Sequence, residues 1–228
     1  MVLLGGGGLA AVKLWPDATA AGPTPTSALT VSSAPTSAAA PSPAASSARP
    51  TPTSTPDSEA AEAALVGCQF KVRAADKVLE QARTGVLHWA THVQAQTDAN
   101  SSKITVTAMK GKFTKTRLAG PADQKRYADA LSAYSKLDGS CNSVKGADSA
   151  TDDALADCKD RAEDQKPVLA AAANGMKDWR THLAAMQRSK EGHVDDAQGV
   201  WIAAWRAAPP HINAYKKAAK DFEDAPSC

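Results

Sequence analysis

No alternating apolar/polar strand pattern stands between the two repeated halves of this chain's larger segment, and that absence points to an all-α protein. Also missing are a G-x-S-x-G turn, a P-loop, an H-E-x-x-H signature and a glycine-rich turn between strand and helix. The acyl-transfer, phosphate-binding and zinc-protease chemistries that need those motifs therefore have no carrier. The GGGG at 5–8 lies in an apolar run, without phosphate-binding context. Lys and Arg form no cluster along the chain, whose formal net charge is +2. A nucleic-acid partner, which would demand many phosphate-neutralising cations, is not expected. None of the four cysteines forms a CxxC, which disfavours a zinc cluster or a thioredoxin-type redox motif. The acidic stretches SEAAEAA and TDDALADCKDRAEDQK read as complements to helix dipoles and as solvated faces, not as acid/base pairs.

What is present divides the chain in three. Residues 1–15 open with twelve apolar residues ending before Lys13, too short to span a bilayer and without the basic start of a normal signal peptide. The reading preferred here is a truncated membrane anchor or a signal, with Ala18–Ala20 as an A-x-A-like cleavage site and Trp15 suited to an interface; a simple tail is the competing one. No cysteine lies near this segment to carry a lipid. Residues 16–57 are built almost wholly of Pro, Ala, Ser and Thr and hold nine of the fourteen prolines. Such a composition cannot bury enough apolar surface to offset the entropy of ordering, so a disordered spacer is expected. Residues 58–228 are long enough for one domain with a core.

Within that domain the chain repeats. GVLHWATHV at 85–93 matches GMKDWRTHL at 175–183. The same offset of ninety pairs Cys68 with Cys158, Val78-Leu79 with Val168-Leu169 and Ala82 with Ala172. Apolar residues in the first copy run Leu65, Cys68, Val72, Ala75, Leu79, Ala82, Val86, Trp89, Val93, and the second keeps the spacing from Leu155 to Met186. A three–four alternation of this kind is the core stripe of a long helix. Thr151-Asp152-Asp153 reads as the cap region of the second, and Pro167 should kink or restart it. After polar turns at DANSSK and RSKEGH the match resumes two residues shorter, pairing Phe113 with Trp201, Pro121 with Pro209 and Tyr127 with Tyr215. The domain is thus expected to be a four-helix bundle of two tandemly duplicated, kinked helical hairpins, repeat one over 58–141 and repeat two over 149–228. Each descending arm should break at Gly120-Pro121 or Pro209-Pro210.

Hairpin geometry returns each terminal cysteine to the base of its long helix. Cys68–Cys141 and Cys158–Cys228 are the expected disulfides; Cys68–Cys228 with Cys141–Cys158 obeys the same symmetry and stays open. Two disulfides place the domain in an oxidising compartment.

Candidate chemistry is confined to a few side chains. His88 and His92 stand one turn apart, and the matching positions carry Asp178 and His182. If the two long helices adjoin, three imidazoles and a carboxylate offer a set for copper or zinc, with Met109 roughly opposite His92 and tilting the choice to copper. Against this, His92 and His182 suit the rim of a Trp-lined core, with His88 in solvent, and the Glu-x-x-His pattern of di-iron bundles is missing from both long helices. Trp89, Trp179, Trp201 and Trp205 should gather away from the cysteines. They form either core or the lining of a pocket for an apolar ligand, with the Thr-His pairs as partners for the indole N–H groups. The preferred function is a non-enzymatic, extracytoplasmic domain that binds or scaffolds at a bacterial cell envelope. It needs no cofactor, its partner is an envelope protein or small ligand, and it touches the membrane only through its N-terminal segment. A copper- or zinc-binding protein is the alternative.

Overall fold

A computed structural model describes residues 56–138, 141–142, 144, 147–192 and 196–228. The apolar segment 1–15, nearly all of the expected spacer and His193 lie outside the described residues. Within them the protein is entirely helical: α1 (Pro56–Asn100), α2 (Val106–Ser135), α3 (Ser149–Lys190) and α4 (Ala197–Asp221), followed by a 3-10 turn at Phe222–Asp224. None of these helices is long and apolar enough to cross a membrane.

Local chemistry sets the helix starts. Pro56 opens α1, where its missing N–H costs nothing, and Asp57 and Glu59 in the first turn complement the helix dipole. Thr105, Asp148 and Asp196 each accept a backbone N–H three residues on, from Ala108, Thr151 and Gly199. The cap of α3 is therefore Asp148, and Thr151 lies within the helix, earlier than the sequence suggested. The connection after α1 turns on Ser102, in the left-handed region at φ 57°, and the chain leaves α3 through Gly192 at φ 75°.

The prolines do not divide the helices. Pro121, Pro167, Pro209 and Pro210 all sit inside continuous helices, where the sequence led us to expect breaks in the two descending arms and a kink or restart at Pro167. Each is exposed, so a carbonyl left without its donor can be served by water. Packing along the rest of each long helix supplies what the missing bond does not.

The four helices form a bundle in which α1 and α3 run parallel and touch. Antiparallel α2 packs on α1, and antiparallel α4 on α3. Burial follows the apolar stripe in three clusters along the axis. At the cysteine end lie Cys68, Val72, Leu155 and Cys158. The middle holds Val78, Val86, Tyr127, Val168, Met176 and Tyr215 among others. Trp89, Val93, Trp179, Ala208 and Ile212 fill the turn end. Disulfides Cys68–Cys141 and Cys158–Cys228 close the cysteine end, with Cα–Cα distances of 4.8 and 4.6 Å; of the two symmetric pairings, this is the hairpin-closing one. Beside them Gln165 donates to Val72 O (3.0 Å) and Asp76 Oδ1 (2.8 Å), and Arg161 bonds Asp76 Oδ1 (2.9 Å) and Pro226 O (3.1 Å). This network ties α1, α3 and the C-terminus together.

Glycines let α1 and α3 approach. A Cβ on Gly85 would lie 2.4 Å from Met176 Sδ, and one on Gly175 would lie 3.0 Å from Val86 Cγ2. Replacing Gly85 with Val should destabilise the fold by about 1–3 kcal/mol through overpacking. On α2, a Cβ added to Gly111 would have no neighbour within 4 Å, so Gly111→Ala should stabilise by up to about 1 kcal/mol. Urea unfolding of both variants checks the contrast, and a stabilising Gly85→Val would show that the seam is open there.

Candidate functional site

The stripe that buries Trp89 and Trp179 also carries two histidines into the interior. His92 and His182, each three residues beyond its tryptophan, are 2% and 1% exposed. They are not at the rim of the bundle, because the parallel contact of α1 and α3 turns both inward. Their Nε2 atoms lie 3.2 Å apart. Around them the indoles of Trp89 and Trp179 stack at 5.2 Å, the Trp89 ring lies 4.7 Å from His182, and Phe113 lies flat on His92 at 4.0 Å.

Hydrogen bonds assign the tautomers. Thr116 Oγ1 stands 3.0 Å from Lys112 O and 3.2 Å from Phe113 O, so its proton goes to the helix carbonyls. It then accepts from Nδ1–H of His92, 2.8 Å away. His92 Nε2 is left with a lone pair, and His182 Nε2–H donates to it. A single proton thus joins the two rings, and His182 Nδ1, a lone pair, is buried without a partner, as are the Nε1 atoms of Trp89 and Trp179. The Thr-His pairs do not serve the indoles: Thr91 donates to Leu87 O and the histidines bond each other. Burial, aided by the neighbouring His182 and Arg117, holds the His92 pKa well below the ordinary imidazole range. Burial pushes that of His182 down to about 4. Both rings are neutral near pH 7.

The other two members of the proposed metal quartet turn away. His88 Nδ1 bonds Asp123 Oδ2 on α2 at 2.7 Å, and Arg126 holds the other oxygen at 2.7 Å. Asp123 itself is fully buried. On the opposite flank, Asp178 Oδ2 bonds His211 Nδ1 on α4 at 2.6 Å. Of His88, His92, Asp178 and His182, then, only His92 and His182 come together; the other two face α2 and α4 because they sit one turn away on the outer sides of their helices. Met109 is buried, but Thr116 occupies the place opposite His92, and seven residues put Met109 about 10 Å further along the axis. Among the described residues no group of three or more His, Cys, Asp or Glu side chains is arranged to hold a metal.

Of the four tryptophans, Trp205 packs against the Trp89/Trp179 cluster and donates to Val93 O and Thr97 Oγ1, both at 3.2 Å. Trp201 meets Phe113 edge to face at 6.0 Å. Thr116, Asp123 and His211 were missed in the sequence. A signal for two of them existed: Asp123 and His211 are separated by the same offset that aligns Pro121 with Pro209. The exchange of His88/Asp123 for Asp178/His211 is thus readable as a swapped pair. No protein-family model matches the chain, and comparison with curated proteins and with solved structures finds no match either.

Proposed function

We propose that residues 58–228 are an extracytoplasmic, non-enzymatic binding or scaffolding domain, built from two tandem helical hairpins and carried at a bacterial cell envelope on the Pro/Ala/Ser/Thr-rich segment before it. The observation that carries this reading is the cysteine pairing. Each bond joins the start of a long helix to the end of its own descending arm, and all four cysteines are used. Such bonds persist where the surroundings are oxidising. The reciprocal pairs His88–Asp123 and His211–Asp178 support the duplication, since one polar tie recurs in both halves with its ends exchanged.

As ties between neighbouring helices, His88 and His211 need no catalytic role. Among the described residues no hydroxyl or thiol is hydrogen-bonded to His88 or His211 to act as a nucleophile beside either His–Asp pair. The test is fractionation of cells expressing the full chain, followed by peptide mapping without reductant. Recovery with the envelope, and disulfide-linked peptides containing Cys68/Cys141 and Cys158/Cys228, is the expected result. Cytosolic recovery with four free thiols would overturn the assignment.

A further inference from the structure

Two neutral imidazoles whose Nε2 atoms face each other at 3.2 Å, in an interior walled by aromatic rings, are more than a packing detail. We propose that His92 Nε2 and His182 Nε2 form a two-coordinate site for a soft monovalent metal ion, Cu(I) or its analogue Ag(I).

Coordination number selects the ion. Zinc and Cu(II) ask for about four ligands, and the described residues bring no third His, Cys, Asp or Glu to this point. Two nitrogens opposed across a gap suit a d10 monovalent ion, for which linear coordination is ordinary. Charge selects it too. Among the described residues no carboxylate is hydrogen-bonded to either ring. A divalent ion would be buried without compensation, whereas a single charge costs far less. The indoles of Trp89 and Trp179 lie with ring centroids 4.7 and 5.4 Å from those of His182 and His92, and π-rich neighbours of this kind suit a cation better than aliphatic ones.

The pair is also preset. Thr116 holds His92 in the Nδ1–H tautomer through a 2.8 Å bond, which aims the Nε2 lone pair at the gap and is the second-shell contact a ligating imidazole usually has. On His182 the proton moves from Nε2 to Nδ1, so that both Nε2 atoms donate to the ion. No proton is released and the ion keeps its oxidation state. Because His182 Nδ1 has no partner beforehand, the shift exchanges an unpartnered lone pair for an unpartnered N–H and adds no new buried orphan. With metal–imidazole bonds of about 2.0 Å, as in zinc sites, a linear Cu(I) needs nitrogens about 4 Å apart, so the rings must part by about 1 Å, and slightly more for Ag(I).

The experiment uses the full oxidised chain. Ag(I), Cu(I) under anaerobic competition with a chromophoric chelator, and Zn(II) are titrated separately while tryptophan fluorescence is followed. One monovalent ion per chain, with quenching of Trp89 and Trp179, is expected, and no stoichiometric Zn(II). His92→Phe and His182→Phe should each weaken binding by at least about 100-fold, whereas His88→Ala, His211→Ala, Met109→Leu and Met176→Leu leave it unchanged. Loss of binding in a methionine variant would move the site to a thioether and overturn the proposal, as would the absence of a stoichiometric monovalent ion. X-ray absorption of the wild-type Cu(I) complex is independent of any variant's folding. Two nitrogen scatterers at about 2.0 Å are required; a sulfur shell refutes the site.

Discussion

Replacing Cys158 and Cys228 together with serine is expected to lower stability by roughly 4 kcal/mol. The bond joins residues 70 apart in sequence, and in the chain-entropy model a loop of that length restricts the unfolded chain by about that much. Cys68–Cys141, with a separation of 73, should be worth nearly the same. These contributions are large against a domain stability of about 5–15 kcal/mol. They matter more here because the core leans on alanine: Ala61, Ala75, Ala82, Ala95, Ala172, Ala185 and Ala208 are all buried and each hides little apolar area. Urea unfolding of the two double variants, at constant m-value, is the measurement. A loss below about 1 kcal/mol would mean that core packing and the Arg161–Asp76–Pro226 network hold the arms without the bonds. With all four cysteines replaced, the bundle should be close to unfolding at room temperature.

Acid should loosen the opposite end. His92 and His182 have lowered pKa values in the folded chain, so below the ordinary imidazole value of 6.5 the unfolded chain binds more protons than the folded one. Their contribution to stability is complete above about pH 6.5 and is lost as pH falls towards the folded value of about 4 for His182. For His182 alone that window amounts to about 3 kcal/mol in the metal-free protein. The groups against the pair are Thr116 and Phe113 from α2 and the two indoles, and the charge of Arg117 on α2 adds to the effect on His92. None offers a negative charge to offset an imidazolium. Carboxylates titrate in the same range, so the decisive readout is the difference between wild type and His182→Gln across pH 7.5 to 4. The variant should show the shallower slope. Parallel slopes would mean that water reaches the rings.

The long helices were legible because their evidence is local. A three–four apolar spacing sustained from Cys68 to Val93, and again from Leu155 to Met186, has only one regular interpretation, and the buried residues follow it closely. The hairpin-closing disulfides were legible as one of two symmetric choices, since helix lengths return Cys141 and Cys228 to the right end. Continuity through Pro121, Pro167 and Pro209-Pro210 was not. A proline penalty is read locally, whereas the packing that outweighs it is distributed along the whole helix. The polar interior was equally hidden. Periodicity marks His92, His182, Thr116 and Asp123 as positions on a face, and nothing in one helix says which neighbour that face meets.

The sequence by itself determined that this domain is helical, where its apolar faces run and which cysteines share an end, because those properties follow from spacing along a single axis. Only the tertiary structure decided that α1 and α3 touch in parallel at Gly85 and Gly175. That contact turns His92 and His182 into one buried pair and sends His88 and Asp178 to different partners. The reason is geometric: residues one turn apart on a helix point in directions that diverge by tens of degrees, and which direction is interior depends on where the second helix lies.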